Sequence, residues 1–220
     1  FLASVAAGGE NIQEGFTGAA SEAEIAVVKL KEAKDYLRKF YGIRQKAVCY
    51  QETDIVQGLR YLHLLALKKQ MPLVMCVALG TNLGGHNGMS SLSRILGSYS
   101  RLVDRCVVIG GGNEANERHH FQGKLNQVGE VQEVEMRVES GNTGFVAELW
   151  GTIPNIVTAY LISPSGERSP VISIRQGSRY QLTFPFEQTV VDVEYQLFLR
   201  DGRSQLLFLK FDHPAQGIWK

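Results

Sequence analysis

The chain has 220 residues, and its 23 lysines and arginines stand against 22 acids, a net charge of +1. That balance removes the electrostatic case for nucleic acid or an anionic membrane surface as partner. With 44% hydrophobic and 20% charged residues the chain buries a real core, and at roughly 150 residues per domain it holds one large domain or two small ones.

Phe1 to Gly8 lacks an initiator Met and a basic leader, so it reads neither as a signal peptide nor as a natural start, and more chain is expected before Phe1. From Phe1 to about Val128 short apolar runs alternate with amphipathic stretches, the pattern of strands joined by helices. Strands are predicted at Ile25 to Leu30, Leu73 to Leu79 and Cys106 to Ile109. Their aliphatic character with little alternation predicts one parallel sheet covered on both faces. Within it Cys76 and Cys106 are expected to be buried, inert thiols. Three cysteines with no C-x-x-C pair argue against a zinc knuckle or a disulfide framework.

The charged stretch Lys29 to Lys39 reads as a solvated helix face. A helix is predicted over Thr53 to Lys69, with Thr53 as N-cap, an apolar stripe from Ile55 to Ala66, and Pro72 as its stop. His63 on that helix reads as an ordinary packed or surface histidine. A second helix, Ser90 to Val103, should pack Leu92, Ile95, Leu96, Tyr99 and Leu102 on the sheet. The runs around Met71 to Leu79 and Cys106 to Ile109 fall far short of the roughly 18 to 20 residues that span a bilayer, so no membrane is expected as partner.

Past Val128 the helical period gives way to alternation, beginning with Val134, Met136 and Val138 against Glu133, Glu135, Arg137 and Glu139. Further strands are predicted at Phe145 to Trp150, Ile156 to Ile162, Val171 to Ile174, Tyr180 to Phe184, Val190 to Leu199 and Gln205 to Phe211. This half reads as a β-sandwich with Val134, Met136, Phe184, Val193 and Leu197 on its inner faces. Pro164-Ser165-Gly166 and the hairpin pair Asp201-Gly202 supply turn chemistry. Trp150 and Trp219 lie in alternating strands and are expected to pack in the core.

Two glycine-rich segments follow predicted strands. Gly80-Thr81-Asn82-Leu83-Gly84-Gly85-His86 has His86 and Asn87 where a phosphate-binding loop needs Lys and Ser or Thr, so no nucleotide and no cofactor is expected. Gly110-Gly111-Gly112-Asn113-Glu114 brings bare backbone to the carboxyl end of a parallel strand, where open α/β sheets bind ligands. An amide fixed there can donate an N–H to a developing oxyanion, which makes Asn113 the candidate, against the ordinary reading of a glycine-rich turn. His119-His120, with His86 and Asp104, lack the spacing of zinc helices, so no metal is expected. A polar loop that positions the strand before Asn113 or shields the cleft is the preferred reading.

In chain order these pieces resemble the subtilisin-like serine proteases. Phe1 to Gly8 is similar to the helix that follows the family's His-Gly-Thr motif, and Gly15-Phe16-Thr17-Gly18-Ala19-Ala20 with Ala26 to Leu30 to its next turn and strand. Val77-Ala78-Leu79-Gly80 resembles the Ser-Leu-Gly substrate strand, and Gly110 to Glu114 the Ala-Ala-Gly-Asn-Glu oxyanion strand. Ala78, Gly110 and Gly111 depart mildly from those motifs. Leu79-Gly80-Thr81-Asn82, the run from Gly112 to His120 and an all-β insertion beside it resemble the clostridial germination (Csp-type) proteases, whose protease domain carries a jelly roll. Ile162 to Gly166 and His213 to Trp219 are similar to recurring jelly-roll turns.

The resemblance implies an α/β, partial subtilisin-like domain over 1–128 followed by an all-β jelly-roll sandwich over 129–220. It implies a peptide or protein substrate, Asn113 in the oxyanion hole, and Ala78, Leu79, Gly80, Gly110, Gly111 and Gly112 as substrate contacts. No Gly-Thr-Ser occurs in the sequence, and the triad's Asp and His are expected before Phe1. The chain therefore reads as an internal fragment, inactive alone, of a serine endopeptidase. A regulatory pseudoprotease and a carbohydrate-binding module are the alternatives.

Overall fold

The computed structural model describes residues 1–44, 46–197 and 203–220. Two compact units are present, one formed by Phe1–Glu32 with Tyr50–Leu73 and the other by Ala33–Cys49 with Val74–Lys220. Among the described residues no helix is long and apolar enough to cross a membrane.

In the first unit α1 spans Leu2–Ala7 and α3 spans Glu52–Lys69. The orphan carbonyls at the end of α1 are answered by the following turn: Gly18, Ala19 and Ala20 donate their N–H groups to the oxygens of Gly8, Val5 and Ala6 at 2.9, 3.0 and 2.8 Å. Helix α3 starts one residue before the predicted Thr53. Gln51 is its N-cap without a side-chain bond to the backbone, and Thr53 instead accepts from Gln51 Nε2 at 3.5 Å. Its end is as expected: Gln70 turns left-handed at φ 54°, and Pro72 follows.

Ile25 to Leu30 forms no strand, contrary to the sequence reading. Strand preference largely expresses side-chain packing, and here the packing is met without a ladder. Val28 and Leu30 lie over Gly58 of α3, where a Cβ would be 3.1 Å from Val28 Cγ1. Ile25 and Val27 stay exposed.

In the second unit α2 covers only Asp35–Phe40, so Lys29 to Lys39 is not one solvated helix face. Arg38 is buried within it and donates to the backbone oxygens of Ala33 at 3.3 Å and Ala47 at 2.7 Å. Strand β1 (Leu73–Val77), helix α4 (Ser91–Ser100) and strand β2 (Arg105–Ile109) form a strand, crossover helix and strand, with β1 and β2 paired in a small parallel sheet. Ser90 caps α4 by accepting the Ser93 N–H at 3.1 Å. The helix stops at Ser100, short of the predicted Val103, which is largely exposed.

The sheet is not covered on both faces. Along β1 Met75 and Val77 are buried while Val74 and Cys76 are exposed, and Cys106 is exposed on β2. An uninterrupted apolar run does not reveal whether its second face has a cover, and for that reason the two thiols are exposed where the sequence predicts burial.

The remaining strands are β3 (Met136–Val138), β4 (Gly144–Thr152), β5 (Ser178–Phe184), β6 (Thr189–Gln196), β7 (Ser204–Asp212) and β8 (Gly217–Trp219). Four of them form an antiparallel sheet in the order β4-β7-β6-β5, and β3 pairs with β8. The first strand lying beside the fourth, after a long connection, is Greek-key connectivity. Leu182, Phe184, Val191, Val193, Tyr195, Leu207, Leu209 and Phe211 of the large sheet share one core with Val138 and Trp219 of the small one. Met136, Phe184, Val193 and Leu197 thus face inward as the alternation predicts, whereas Val138 rather than Val134 enters the core.

Ile156 to Ile162 and Val171 to Ile174 form no strands, and Ile162 makes only an isolated bridge with Arg168. Ser169 and Ile172 donate their N–H groups to Leu161 O at 2.9 Å and Ala159 O at 2.8 Å, but Ser169 Oγ takes the Leu161 N–H at 2.9 Å and Pro170 has no N–H to offer, so the pairing stays at single bonds and one isolated bridge. Leu161 and Ile172 are nonetheless core residues. His213 to Trp219 is a turn followed by β8. The predicted turn at Pro164-Ser165-Gly166 is present, with the Gly166 N–H on Ser163 O at 2.9 Å. Asp201-Gly202 and the end of Val190 to Leu199 lie outside the described residues.

Candidate functional site

Parallel pairing places the carboxyl ends of β1 and β2 side by side, so the residues leaving each strand are neighbours by construction. The Gly110 N–H donates to Val77 O at 3.1 Å, and a Cβ on Gly110 would sit 3.8 Å from Ala78 Cα. Ala78, Leu79 and Gly80 leave β1 exposed, as Gly110, Gly111 and Gly112 leave β2. Added side chains at Gly80, Gly111 and Gly112 would meet open space. The backbone edges here are therefore approachable by an extended ligand. Asn113 follows Gly112, whose φ is 86°, and its exposed amide engages no other described residue.

Beyond the glycines the two loops are tied together. Asn82 Nδ2 donates to Glu114 Oε2 at 2.6 Å, and His119 Nδ1 lies 3.3 Å from Asn82 Nδ2 and 3.2 Å from Glu114 Oε2. One ring nitrogen cannot serve both partners at once: a bare Nδ1 accepts from Asn82, and an Nδ1–H, in either the neutral tautomer that carries it or the imidazolium, donates to Glu114. The bond from Asn82, then that from His119, holds the Glu114 carboxyl below the usual carboxylate range. With His119 and Glu114 side chains 53% and 54% exposed, the contact fixes direction more than it adds stability. His120 stacks on His86 with ring centroids 4.7 Å apart, and His86 Nε2 lies 3.1 Å from Asn82 O.

The histidines weighed for a metal thus point into different contacts. Among the described residues no group of three or more His, Cys, Asp or Glu side chains comes together to hold an ion. His119 contacts Asn82 and Glu114, and His120 contacts His86.

The loop between β1 and α4 is also held from the large antiparallel sheet. Glu148 Oε2 accepts the Gly84 N–H at 2.8 Å and the Trp150 Nε1–H at 2.8 Å. Contrary to the core position that the alternation predicts, Trp150 is half-buried and packs on the loop at Gly85. Trp219 is fully buried against Phe184 and Phe211. Sequence reasoning missed Asn82 and Glu148. For Asn82 a signal existed, since it follows one of two strands predicted to be neighbours. Glu148 acts 64 positions away in sequence, and no local pattern marks it.

No protein-family model matches the chain, and no curated protein matches it. Among solved structures it is similar to the CspB protease of Clostridium perfringens, with a TM-score of 0.81 at 23% sequence identity. The match covers 99% of this chain and 44% of that one. The likeness shows a shared fold, and the chain spans less than half the length of the protein it matches.

Proposed function

We propose that the chain is part of a subtilisin-like serine endopeptidase of the clostridial germination type. In this reading residues 1–128 belong to the protease domain and 129–220 form a jelly roll inserted in it. The order β4-β7-β6-β5, with β3-β8 sharing its core, supports the second assignment. The observation that carries the functional reading is the juxtaposition of Ala78 to Gly80 with Gly110 to Gly112 at two strand ends, joined through the Gly110 N–H and Val77 O, in a fold shared with a protease.

In the mechanism so proposed, a peptide substrate adds as a strand along Ala78 to Gly80, giving main-chain hydrogen bonds for affinity. The glycines Gly110 to Gly112 leave space for its side chain. Attack by a serine on the scissile carbonyl places negative charge on that oxygen, and the Asn113 amide donates to it, which lowers the barrier because the charge exists only in the transition state. Nucleophile, base and orienting acid are placed outside these 220 residues, so hydrolysis belongs to the parent protein.

The test is covalent labelling of the full-length parent with a fluorophosphonate, which reacts with an activated serine. Stoichiometric labelling, blocked by a peptide aldehyde, is the expected result. A folded parent that takes no label and cleaves no peptide overturns the enzymatic reading and leaves the pseudoprotease, which uses the same cleft without chemistry.

A further inference from the structure

The outer face of the large antiparallel sheet makes contacts that its core does not require. On β4 the residues Glu148 and Trp150 pair with Phe208 and Leu206 of β7, on the face opposite Phe211 and Leu209. Phe208 is covered there by Phe40 of α2, ring centroids 5.9 Å apart. Glu148 and Trp150 meet the loop from Gly80 to Ser90. A Cβ on Gly85 would lie 3.0 Å from Trp150 Cε3 and 3.2 Å from Cδ2, so the indole rests on bare backbone. Asn87 Nδ2 adds a bond to Ser204 Oγ at 3.4 Å.

We propose that Glu148 is a positioning residue that fixes the loop 81–88 from β4 and, through it, the backbone of Ala78 to Gly80. The consequence for substrate rests on the cleft reading above; the brace itself does not. A carboxylate accepting a backbone N–H makes a charge-assisted bond, and the Trp150 N–H aims the same oxygen at Gly84. Gly84 has φ 101°, a conformation that a side chain would resist and that outside contacts must select. A peptide that adds as a strand needs its partner edge already in register. A loose edge is ordered at the moment of binding, and that entropy cost weakens affinity without touching the reacting atoms. Loss of Glu148 therefore appears in KM and not in kcat.

The experiment is hydrogen exchange by mass spectrometry on the full-length protein, with peptide kinetics on the same samples. Glu148→Ala is expected to speed exchange in peptides spanning 81–88 by about tenfold or more, the weight of a hydrogen bond to a charged group, while β5 to β7 keep their protection. KM should rise by about the same factor with kcat nearly unchanged. Trp150→Phe keeps a ring on Gly85 and removes the N–H; it should give a smaller rise in the same peptides, and it decides the question if Glu148→Ala does not fold. Unchanged exchange at 81–88 overturns the brace, and faster exchange with unchanged KM overturns its link to the cleft. If the wild type cleaves no peptide, the endopeptidase reading fails, while exchange at 81–88 still upholds or overturns the brace.

Discussion

Gln205 is the buried polar residue on which the β half depends most visibly. It is 1% exposed on β7, and its amide is spent on both sides. Nε2 donates to Asn155 O at 2.6 Å, and Oε1 accepts from Val157 N at 3.3 Å. The Tyr195 hydroxyl lies 2.7 Å from the same Oε1 and 2.8 Å from Val157 O, and its single proton serves one of them at a time. Gln205→Leu keeps the volume and removes the amide that serves the Asn155 carbonyl and the Val157 N–H. Asn155 is exposed, so water takes its carbonyl, and the half-buried Val157 N–H left unpaired sets the loss at about 1 to 3 kcal/mol. Gly151 supplies an independent approach, because a Cβ there would sit 2.4 Å from Gln205 Nε2. Gly151→Ala should displace the same amide, and the double variant should cost clearly less than the sum of the two. Urea denaturation with an unchanged m-value reads these differences. A loss below about 1 kcal/mol for Gln205→Leu, or strict additivity with Gly151→Ala, would refute the network.

Ser90→Ala removes the cap of α4 and should cost about 1 kcal/mol, with Ser90→Gly costing less; equal losses in denaturation would mean that the Ser93 N–H bond is not the cause. Burial pushes the Tyr195 phenol up from its ordinary value, so the folded state holds the proton more tightly than the unfolded chain. Its contribution is fully present below about pH 10 and is lost as pH rises toward the folded value, because only the unfolded chain has then released the proton. Tyr195→Phe should therefore be less stable than wild type at neutral pH by about 1 kcal/mol, and the gap should narrow on the alkaline side; a gap that stays constant through pH 11 contradicts this.

What the sequence makes legible is local. Apolar runs mark β1 and β2, three- and four-residue spacing marks α3 and α4, and period-two alternation places Phe184 and Val193 in a β core. The two glycine-rich segments come out as neighbours because a strand, helix and strand order leaves parallel strands side by side. Non-local closure is what stays hidden. Ile25 to Leu30 has strand composition but finds its packing on Gly58. Ile156 to Ile162 and Val171 to Ile174 have strand composition, but the Leu161 N–H goes to the hydroxyl of Ser169. Cys76 and Cys106 have apolar neighbours in sequence and yet are exposed. Glu148 and Trp150 look like members of an alternating strand, and only the folded chain shows that Gly84 and Gly85 lie beneath them.

The central claim is that Asn113 faces a developing oxyanion, and steady-state hydrolysis of a peptide by the full-length protein and its Asn113→Ala variant tests it most directly. Removal of one oxyanion donor should lower kcat by about 10² to 10³, with KM little changed because the amide meets charge absent from the bound substrate. An unchanged kcat, or a loss confined to KM, would contradict the account.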